Sequence, residues 1–497
     1  MKQIFLLFII ACISASCKID KVIEQDYSLN SGITRDLQSF YQGRRDELMG
    51  KISEGKIILR ADNGYSGGRH EFKTANNFYY LTGFTHSGSL LVLDSVSSYP
   101  YVLYVTEKTE RDIIYEGDIP SADAIMNSFH ADTVLLLQQS DKVIEECIAT
   151  GTPMYIDNTD TRFRGFILQM IRSMKGDINL IRDISPLINE MRVIKDSAEI
   201  AEMQKAIDIT GKGFINACRI CSPGLYEYEV EAMTEYTYRK NGSSMPAFES
   251  IVGSGLNAVI LHYSGNSRRM ESGDLLLMDV GAEYGYLCAD ITRTIPVNGK
   301  FSKEQKEIYE LVLKCQKAAI DEMIAGKHFN AGQNKAIRIL VGGLYELGLI
   351  TDTLSEWQKE LYLLHPFSHY LGMDVHDVGN FGTTYTELAQ NIARDTTFGR
   401  ILEKGMVLTI EPGLYFRSNG LTLLPELFKE EASSEEIQNF IDKVAPLYEK
   451  YKNIGIRIED DILITEHGNV NLSKNIPKEV SEIEKLMDKK NRLAITY

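Results

Sequence analysis

The stretch LLLMDVGAEYGYLCADITRT, residues 275–294, sets an apolar run ending in Asp279 against a second run holding Asp290. Glu283-Tyr284-Gly285-Tyr286 lies between them. Two short β-prone runs about a glycine-bearing turn predict an antiparallel hairpin. With Asp279 and Asp290 taken as directly opposed partners, the turn centres between Tyr284 and Gly285. Opposed Cβ atoms are only about 5 Å apart, and two carboxylates that close repel unless one is protonated or a cation lies between them. Downstream stand His369, Glu411 and Glu459, in HPFSHYLGMDVHDVG (365–379), LTIEPGLYF (408–416) and GIRIEDDILIT (455–465). Four carboxylates and one imidazole suit two divalent ions of the Mn, Co or Zn type. Such ions, about 3.5–4 Å apart and sharing carboxylates, can hold a hydroxide for attack on a carbonyl. The constellation predicts a dinuclear metallohydrolase.

Around the hairpin, an amphipathic helix is expected from about Ser197 to Cys221, stopped by Ser222-Pro223-Gly224. A second covers about Glu227 to Asn241, and Phe301 to Gly326 holds a third. SIVGSG (250–255), ILHY (260–263), MVLTIEPG (406–413) and GIRIEDDILIT read as strands. Alternation along the last puts Arg457 and Glu459 on one face. Asp460 falls on the other, where it reads as part of a solvated charge run. Pro412 lacks an N–H and fixes the bend that aims Glu411. The expected unit is α+β: an antiparallel sheet with helices on one face and ligands on the other.

Upstream, Tyr41 to Ile184 alternates strands and helices. YYLTGF (79–84) and SLLVLD (89–94) read as strands joined by a short turn, and Pro100–Val105 as another. Arg111–Tyr115 and Asp141–Ala149 read as helices. This mixed α/β block holds none of the expected ligands, so it reads as scaffold, access wall or oligomer contact. Charged composition around Met191–Lys195 places the boundary near 185–193, dividing 38–188 from 189–497.

A chain of 497 residues is too long for one core, so two domains are expected, with three possible. Its 44% hydrophobic and 25% charged content is that of a globular protein. The net charge of −16 argues against nucleic acid and against broad binding to anionic membrane. At the N-terminus, Met1-Lys2-Gln3 precedes ten apolar-rich residues, 4–13, too few to span a bilayer, which takes about 20. Ser14-Ala15-Ser16 before Cys17 resembles a bacterial lipoprotein signal. On that reading 1–16 is a signal peptide, Cys17 the acylated residue and 17–37 a tether. The protein would be exported and anchored by lipid to a bacterial membrane, facing the periplasm or exterior. Ser14 stands where such signals usually carry Leu, and an ordinary secretory signal with a soluble periplasmic product is the alternative. Beyond Cys12 and Cys17 five scattered cysteines remain, which is no disulfide framework. Cys218-Arg-Ile-Cys221 reads as a buried helical face rather than a redox or zinc motif.

Together NAVILHY (257–263), MDVGAEYGYLCADITRTIPVNGKF (278–301) and the three downstream motifs resemble the aminopeptidase P, prolidase and methionine aminopeptidase superfamily, with its pita-bread catalytic fold. RRDELM (44–49) and NNFYYLTGF (76–84) resemble the creatinase-type N-terminal domain of aminopeptidase P and prolidase. The resemblance implies Asp279 as chelating ligand of one ion, Asp290 and Glu459 as bridges, and His369 and Glu411 completing the second. Mn(2+) is the expected metal. Glu411 would also accept a proton from the attacking water. His262 and His376 would polarise the scissile carbonyl, His365 would line a proline pocket, and Arg457 would orient carboxylates and substrate. His365, His369 and His376 cluster within twelve residues of a chain with nine histidines, whereas His70, His86, His130, His328 and His467 have no such context. Two departures stand out. Pro366 replaces a usual glycine, and 47 residues separate Glu411 from Glu459, some two dozen more than the family pattern. The added piece, 424–451, is expected on the rim of the cleft. The implied function is an Xaa-Pro aminopeptidase acting on peptides with proline in second place, in a dimer or tetramer. A prolidase restricted to dipeptides is the rival, disfavoured by Ser368. A methionine aminopeptidase fits the N-terminal domain and export signal poorly. A metal-free binding module is the alternative of another class.

Overall fold

The computed structural model of the protein describes residues 37–62, 73–117, 119–384, 387 and 397–488. The signal segment, Cys17, the tether up to residue 36 and His70 fall outside these residues. The chain divides into two compact units between Arg192 and Val193.

The N-terminal unit holds one mixed sheet of β1 (Lys56–Arg60), β2 (Leu90–Leu93), β3 (Tyr101–Val105), β4 (Thr133–Leu136), β5 (Met154–Ile156) and β6 (Ile181–Asp183). Its order is β4-β3-β2-β1-β5-β6. β2 runs antiparallel to β1 and β3, and the outer pairs are parallel. The apolar runs of β1 and β2 are buried on both faces, as strands covered on both sides require. Helices cover Glu110–Glu116 and Ser140–Thr150, as the sequence pattern leads one to expect.

YYLTGF is not a strand. Asn76–Thr82 is a helix, ended by Gly83 in the left-handed conformation (φ 67°) with its N–H on Tyr79 O. A Cβ on Gly83 would come within 2.5 Å of the Tyr41 ring. Arg44 and Arg45, on the helix Leu37–Gly50, donate to the terminal carbonyls of Tyr80 and Leu81 at 3.1 and 2.8 Å. Cations and a glycine at the C-terminus outweigh the β preference of two tyrosines. RRDELM and NNFYYLTGF are therefore packing partners of each other.

The C-terminal unit contributes β7 (Ile251–Ser254), β8 (Leu275–Val280), β9 (Glu283–Tyr284), β10 (Leu287–Cys288) and β11 (Ile291–Pro296). Later come β12 (Val407–Ile410), β13 (Gly413–Tyr415), β14 (Gly455–Arg457), β15 (Asp460–Thr465) and β16 (Gly468–Asn471). They pair as β11-β8-β7, β9-β10, β12-β15-β16 and β13-β14, every pair antiparallel. Helices Ser197–Ile220, Glu227–Lys240 and Lys303–Glu322 occupy the expected stretches. Cys218, on the first of these helices, and Cys221, the residue that caps its C-terminus, are both buried. ILHY is no strand: a 3-10 turn covers Gly255–Val259 and His262 sits in the turn that follows.

The hairpin register differs from the expected one by two residues. Thr292 stands opposite Asp279, and Asp290 is diagonal to it. Gly285 and Tyr286, both at positive φ (58° and 68°), make the two-residue turn, as the primed hairpin turns require. A shift of two keeps the parity of the strand, so both aspartates remain on one face.

The inserted stretch also differs from expectation. It forms the helices Gly420–Leu427 and Ser434–Tyr451. Ile437, Phe440, Val444, Tyr448 and Tyr451 are buried at helical spacing. Trp357 meets Phe428 and Phe440, while Tyr362 and Phe416 meet Tyr448. Tyr451 OH donates to Glu307 Oε2 on the helix Lys303–Glu322 at 2.6 Å. That helix also sends Gln316 Nε2 to Asp460 Oδ2 at 2.9 Å, on the side of the β15 strand turned away from Glu459. The insert is thus tied to the helical layer behind the sheet.

Candidate metal centre

Five strand ends and connections bring the expected ligands together. Asp279 is on β8, Asp290 directly precedes β11, and Glu459 lies between β14 and β15 with its N–H on Thr292 O at 3.1 Å. Glu411 links β12 to β13 and its N–H bonds Phe367 O at 2.9 Å, while His369 O accepts from Thr409 N at 3.0 Å. Facing atoms of Asp290, His369 and Glu459 all lie within 4.8 Å of one another. His369 Nε2 is 3.3 Å from Asp290 Oδ2 and 3.6 Å from Glu411 Oε1.

The donor set fits cations. His369 Nδ1 lies 3.0 Å from Tyr370 O, which can only accept. In the neutral ring Nδ1 therefore carries the hydrogen and Nε2 turns its lone pair toward the carboxylates, the arrangement of a metal-bound imidazole. Asp279 Oδ1 and Asp290 Oδ1 are buried with no hydrogen-bond partner. Asp279, Glu411 and Glu459 act on one guanidinium, Arg457, and Asp290 lies among them, so four carboxylates crowd a largely buried cluster that holds a single fixed cation. Burial first, then Asp279, Asp461 and Glu411, pushes Asp290 well above the carboxylate range. Burial, then Asp290 and Glu411, does the same to Glu459. Glu411 is pushed up to about 7, burial outweighing His369 and Arg457. Divalent cations would supply the charge this cluster needs.

A hydrogen-bonded chain orders the carboxylates from the side. Arg457 donates to Asp279 Oδ2 at 2.5 Å, to Thr292 Oγ1 at 3.1 Å and to Tyr415 OH at 2.9 Å. Thr292 passes its hydroxyl hydrogen to Glu459 Oε2 at 2.7 Å. Tyr415 OH lies 2.9 Å from His365 Nε2, and His365 Nδ1 is 2.8 Å from Pro366 O and 3.4 Å from Glu411 Oε2. Burial and the charge of Arg457 lower His365 to about 3, so the ring is neutral and accepts from Tyr415. His262, His376, Asp279 and Asp290 line a cleft of about 440 Å³, with Phe248 and Val375 among its apolar walls. The His376 ring stands 4.1 Å from that of His369. Burial, then His369 and His262, lowers His376 to about 4. His365 and Arg457 do not line this cleft; they meet it through Asp279.

Asp460 is a correction to the sequence reading. It is fully buried, not solvated, and accepts from Arg293 at 2.7 Å, from Lys478, and from Gln316, Asn471 and Ser473 at 2.9, 2.7 and 2.8 Å. Despite burial, Arg293 and Lys478 hold its carboxyl far below the usual range. Arg293 also donates to Thr292 O at 2.9 Å and Glu459 O at 2.5 Å, clamping from behind the two residues whose side chains meet in the site. Thr292, Tyr415, Arg293 and Asp461, whose Oδ2 takes the N–H of Asp290 at 3.2 Å, are site residues the sequence reading passed over. Thr292 had a signal, since it stands two places after Asp290 and so shares its face. Among the other described histidines, His86 packs on Phe84 and His328 bonds Gly399 O, and neither is among the residues lining the cleft.

Comparison with known proteins places the chain in a family. Residues 201–466 match metallopeptidase family M24, and residues 41–155 match the aminopeptidase P N-terminal domain. The chain is 34% identical over 435 residues to an Xaa-Pro aminopeptidase of Haemophilus influenzae, covering 84% of this chain and 89% of that one. It is 32% identical over 472 residues to the Xaa-Pro aminopeptidase of Escherichia coli, covering 90% and 97%. Among solved structures, aminopeptidase PepP of Pseudomonas aeruginosa superposes with a TM-score of 0.77 at 32% identity, covering 92% of this chain and 99% of that one. An Escherichia coli aminopeptidase P variant in complex with substrate gives 0.77 at 30% identity, covering 90% and 98%. The match spans both units and every motif of the metal centre: the chain belongs to metallopeptidase family M24, in the aminopeptidase P branch whose peptidase domain follows an N-terminal domain of its own.

Proposed function

We propose that the protein is a metal-dependent Xaa-Pro aminopeptidase, hydrolysing the first bond of peptides whose second residue is proline. The observation that carries the reading is the convergence of Asp279, Asp290, His369, Glu411 and Glu459 beside a cleft that His262 and His376 enter. Asp290 and Glu459 would be shared by two ions, Asp279 would serve one, and His369 and Glu411 the other, with Mn(2+) the proposed metal. Bound there, divalent ions supply Lewis acidity and turn water into a nucleophile at neutral pH. The remaining work falls to the chain. The free amine of the substrate is held near Asp279, whose second oxygen Arg457 fixes. His376, kept neutral, offers a ring N–H to the scissile carbonyl oxygen as negative charge gathers there, and His262 faces the same cleft. Glu411 accepts the proton of the attacking water and delivers it to the proline nitrogen, which leaves as a secondary amine when its bond to the carbonyl carbon breaks. Proline has no amide N–H before cleavage, so recognition rests on ring packing rather than on a donor.

The lipid anchor at Cys17, the export it implies and assembly as a dimer or tetramer belong to the same reading. Kinetics on Ala-Pro, Ala-Pro-Ala and a longer Ala-Pro peptide, with Mn, Co and Zn in turn, test the activity. Turnover confined to Ala-Pro would replace it with a prolidase, and equal cleavage of Ala-Ala-Ala would remove proline specificity altogether.

A further inference from the structure

We propose that Glu227 is a positioning residue for catalysis, fixing the 254–268 segment and through it the place of His262; the proposal rests on the role given to His262 above. Glu227 opens the helix Glu227–Lys240 and its side chain is completely buried. Its Oε1 accepts from Ser254 N at 2.6 Å, Ser254 Oγ at 2.7 Å and Asn257 Nδ2 at 3.1 Å. Its Oε2 accepts from Tyr263 OH at 2.9 Å and Arg268 N at 2.8 Å. Its own N–H closes the ring on Arg268 O at 3.1 Å. One carboxylate thus ties the start, middle and end of a segment that is otherwise a 3-10 turn and irregular chain.

The attachment points lead directly to the cleft. Tyr263 turns inward, its hydroxyl on Glu227 and its ring against the cluster of Ile251, Ala258 and Tyr415. His262, the residue before it, faces the cleft. The nearby guanidinium of Arg268 is engaged by Asp274 and Ser254, so Glu227 is held by hydrogen bonds from the segment it organises. Charge-assisted bonds of this kind are short and directional. A catalytic group carried on a loop needs such support, because misplacement by about 1 Å costs on the order of 10²-fold in rate.

Glu227→Gln tests this. Its amide NH₂ faces donors whichever way it turns, because donors stand on both oxygens. In the metal-loaded full chain, E227Q is expected to lower kcat by about tenfold or more with metal content unchanged. The same change in an H262A background should cost nothing further. Additive losses would overturn the proposal, because Glu227 would then act independently of His262. Hydrogen exchange decides the structural step without reference to activity. Faster exchange confined to 254–268 in E227Q supports it, and unchanged protection overturns it. Should H262A alone turn over at the parent rate, the role of His262 falls, and the exchange result still judges Glu227. If E227Q does not fold, Tyr263→Phe removes one donor and keeps the carboxylate. It should give a smaller loss of kcat, absent in the H262A background, and parent-like rate and exchange would count against the proposal.

Discussion

Glu459 holds its backbone N–H on Thr292 O, one carboxylate oxygen on the Thr292 hydroxyl, and an oxygen facing Asp290 and His369. In the proposed site, Glu459→Ala or Asp290→Ala therefore removes a carboxylate that both ions would share. Both variants should lose metal and activity together, read by elemental analysis and turnover. Two bound ions and a parent rate in Glu459→Ala would contradict the site. His376→Ala should behave differently, retaining metal while turnover falls by about 10²–10³-fold, the cost typical of a lost oxyanion donor. The carboxylates also make a statement about pH. Glu411 sits at about 7 in the folded protein against an ordinary 4.5, and Asp290 and Glu459 shift the same way. A raised carboxylate binds its proton more tightly when folded. Its contribution to stability is full below the ordinary value and lost as pH rises through the raised one. Chelator-treated protein should thus lose thermal stability between about pH 5 and pH 8 through this cluster, whereas metal-loaded protein should not. A melting temperature of the chelated form that climbs over that range would refute the assignment.

At the scale of elements, the side of the sheet was readable and the register was not. Period-two alternation puts Asp279 and Asp290 on one face whether they are opposed or diagonal, so a two-residue error leaves the site intact. The turn was the harder problem: it needs Tyr286 at positive φ, which side chains other than glycine seldom favour. The helix Asn76–Thr82 was hidden for another reason, since the arginines that cap it lie some thirty-six residues upstream. Asp460 shows the same limit. Its run of acids reads as solvated until Arg293 and Lys478 arrive from distant segments. The proposed metal ligands needed no such partner knowledge, because the chemistry that suggests them is local to each motif and only their convergence is tertiary. Arg293 now carries a prediction. Its guanidinium is fully buried, paired with Asp460 and bonded to the carbonyls of Thr292, Glu459, Ile476 and Pro477. Arg293→Met leaves a buried carboxylate with one cation fewer and four carbonyls without this donor. Denaturant unfolding should show a loss of about 3–5 kcal/mol, and a change below about 1 kcal/mol would mean the clamp is weak.

At the scale of the whole molecule, two features lie outside the chemistry. The first is the N-terminus, where small residues precede Cys17. Lipidation there would place the protein at a membrane even though no described helix is long and apolar enough to cross one. Cys17→Ser should release the protein from the membrane fraction, and a variant that stays there would exclude acylation as the anchor. The second feature is the insert between Glu411 and Glu459. If it narrowed the exit of the cleft, it would set the length of peptide the enzyme accepts. Its buried face instead meets Trp357, Tyr362 and Phe416, and Tyr448 OH bonds Arg417 O at 2.8 Å. Among the described residues, none from 420–451 lines the cleft. The insert braces the chain just before His365 and just after Tyr415, two members of the hydrogen-bonded chain that ends at Asp279. Weakening it should therefore act on stability before it acts on selectivity. Phe440→Ala, which empties a buried site edge-on to Trp357, should cost about 3–5 kcal/mol in unfolding free energy. The ratio of kcat/KM for Ala-Pro-Ala over Ala-Pro should stay at the parent value. A changed ratio at parent stability would restore the insert to the rim of the cleft and make it a determinant of substrate length.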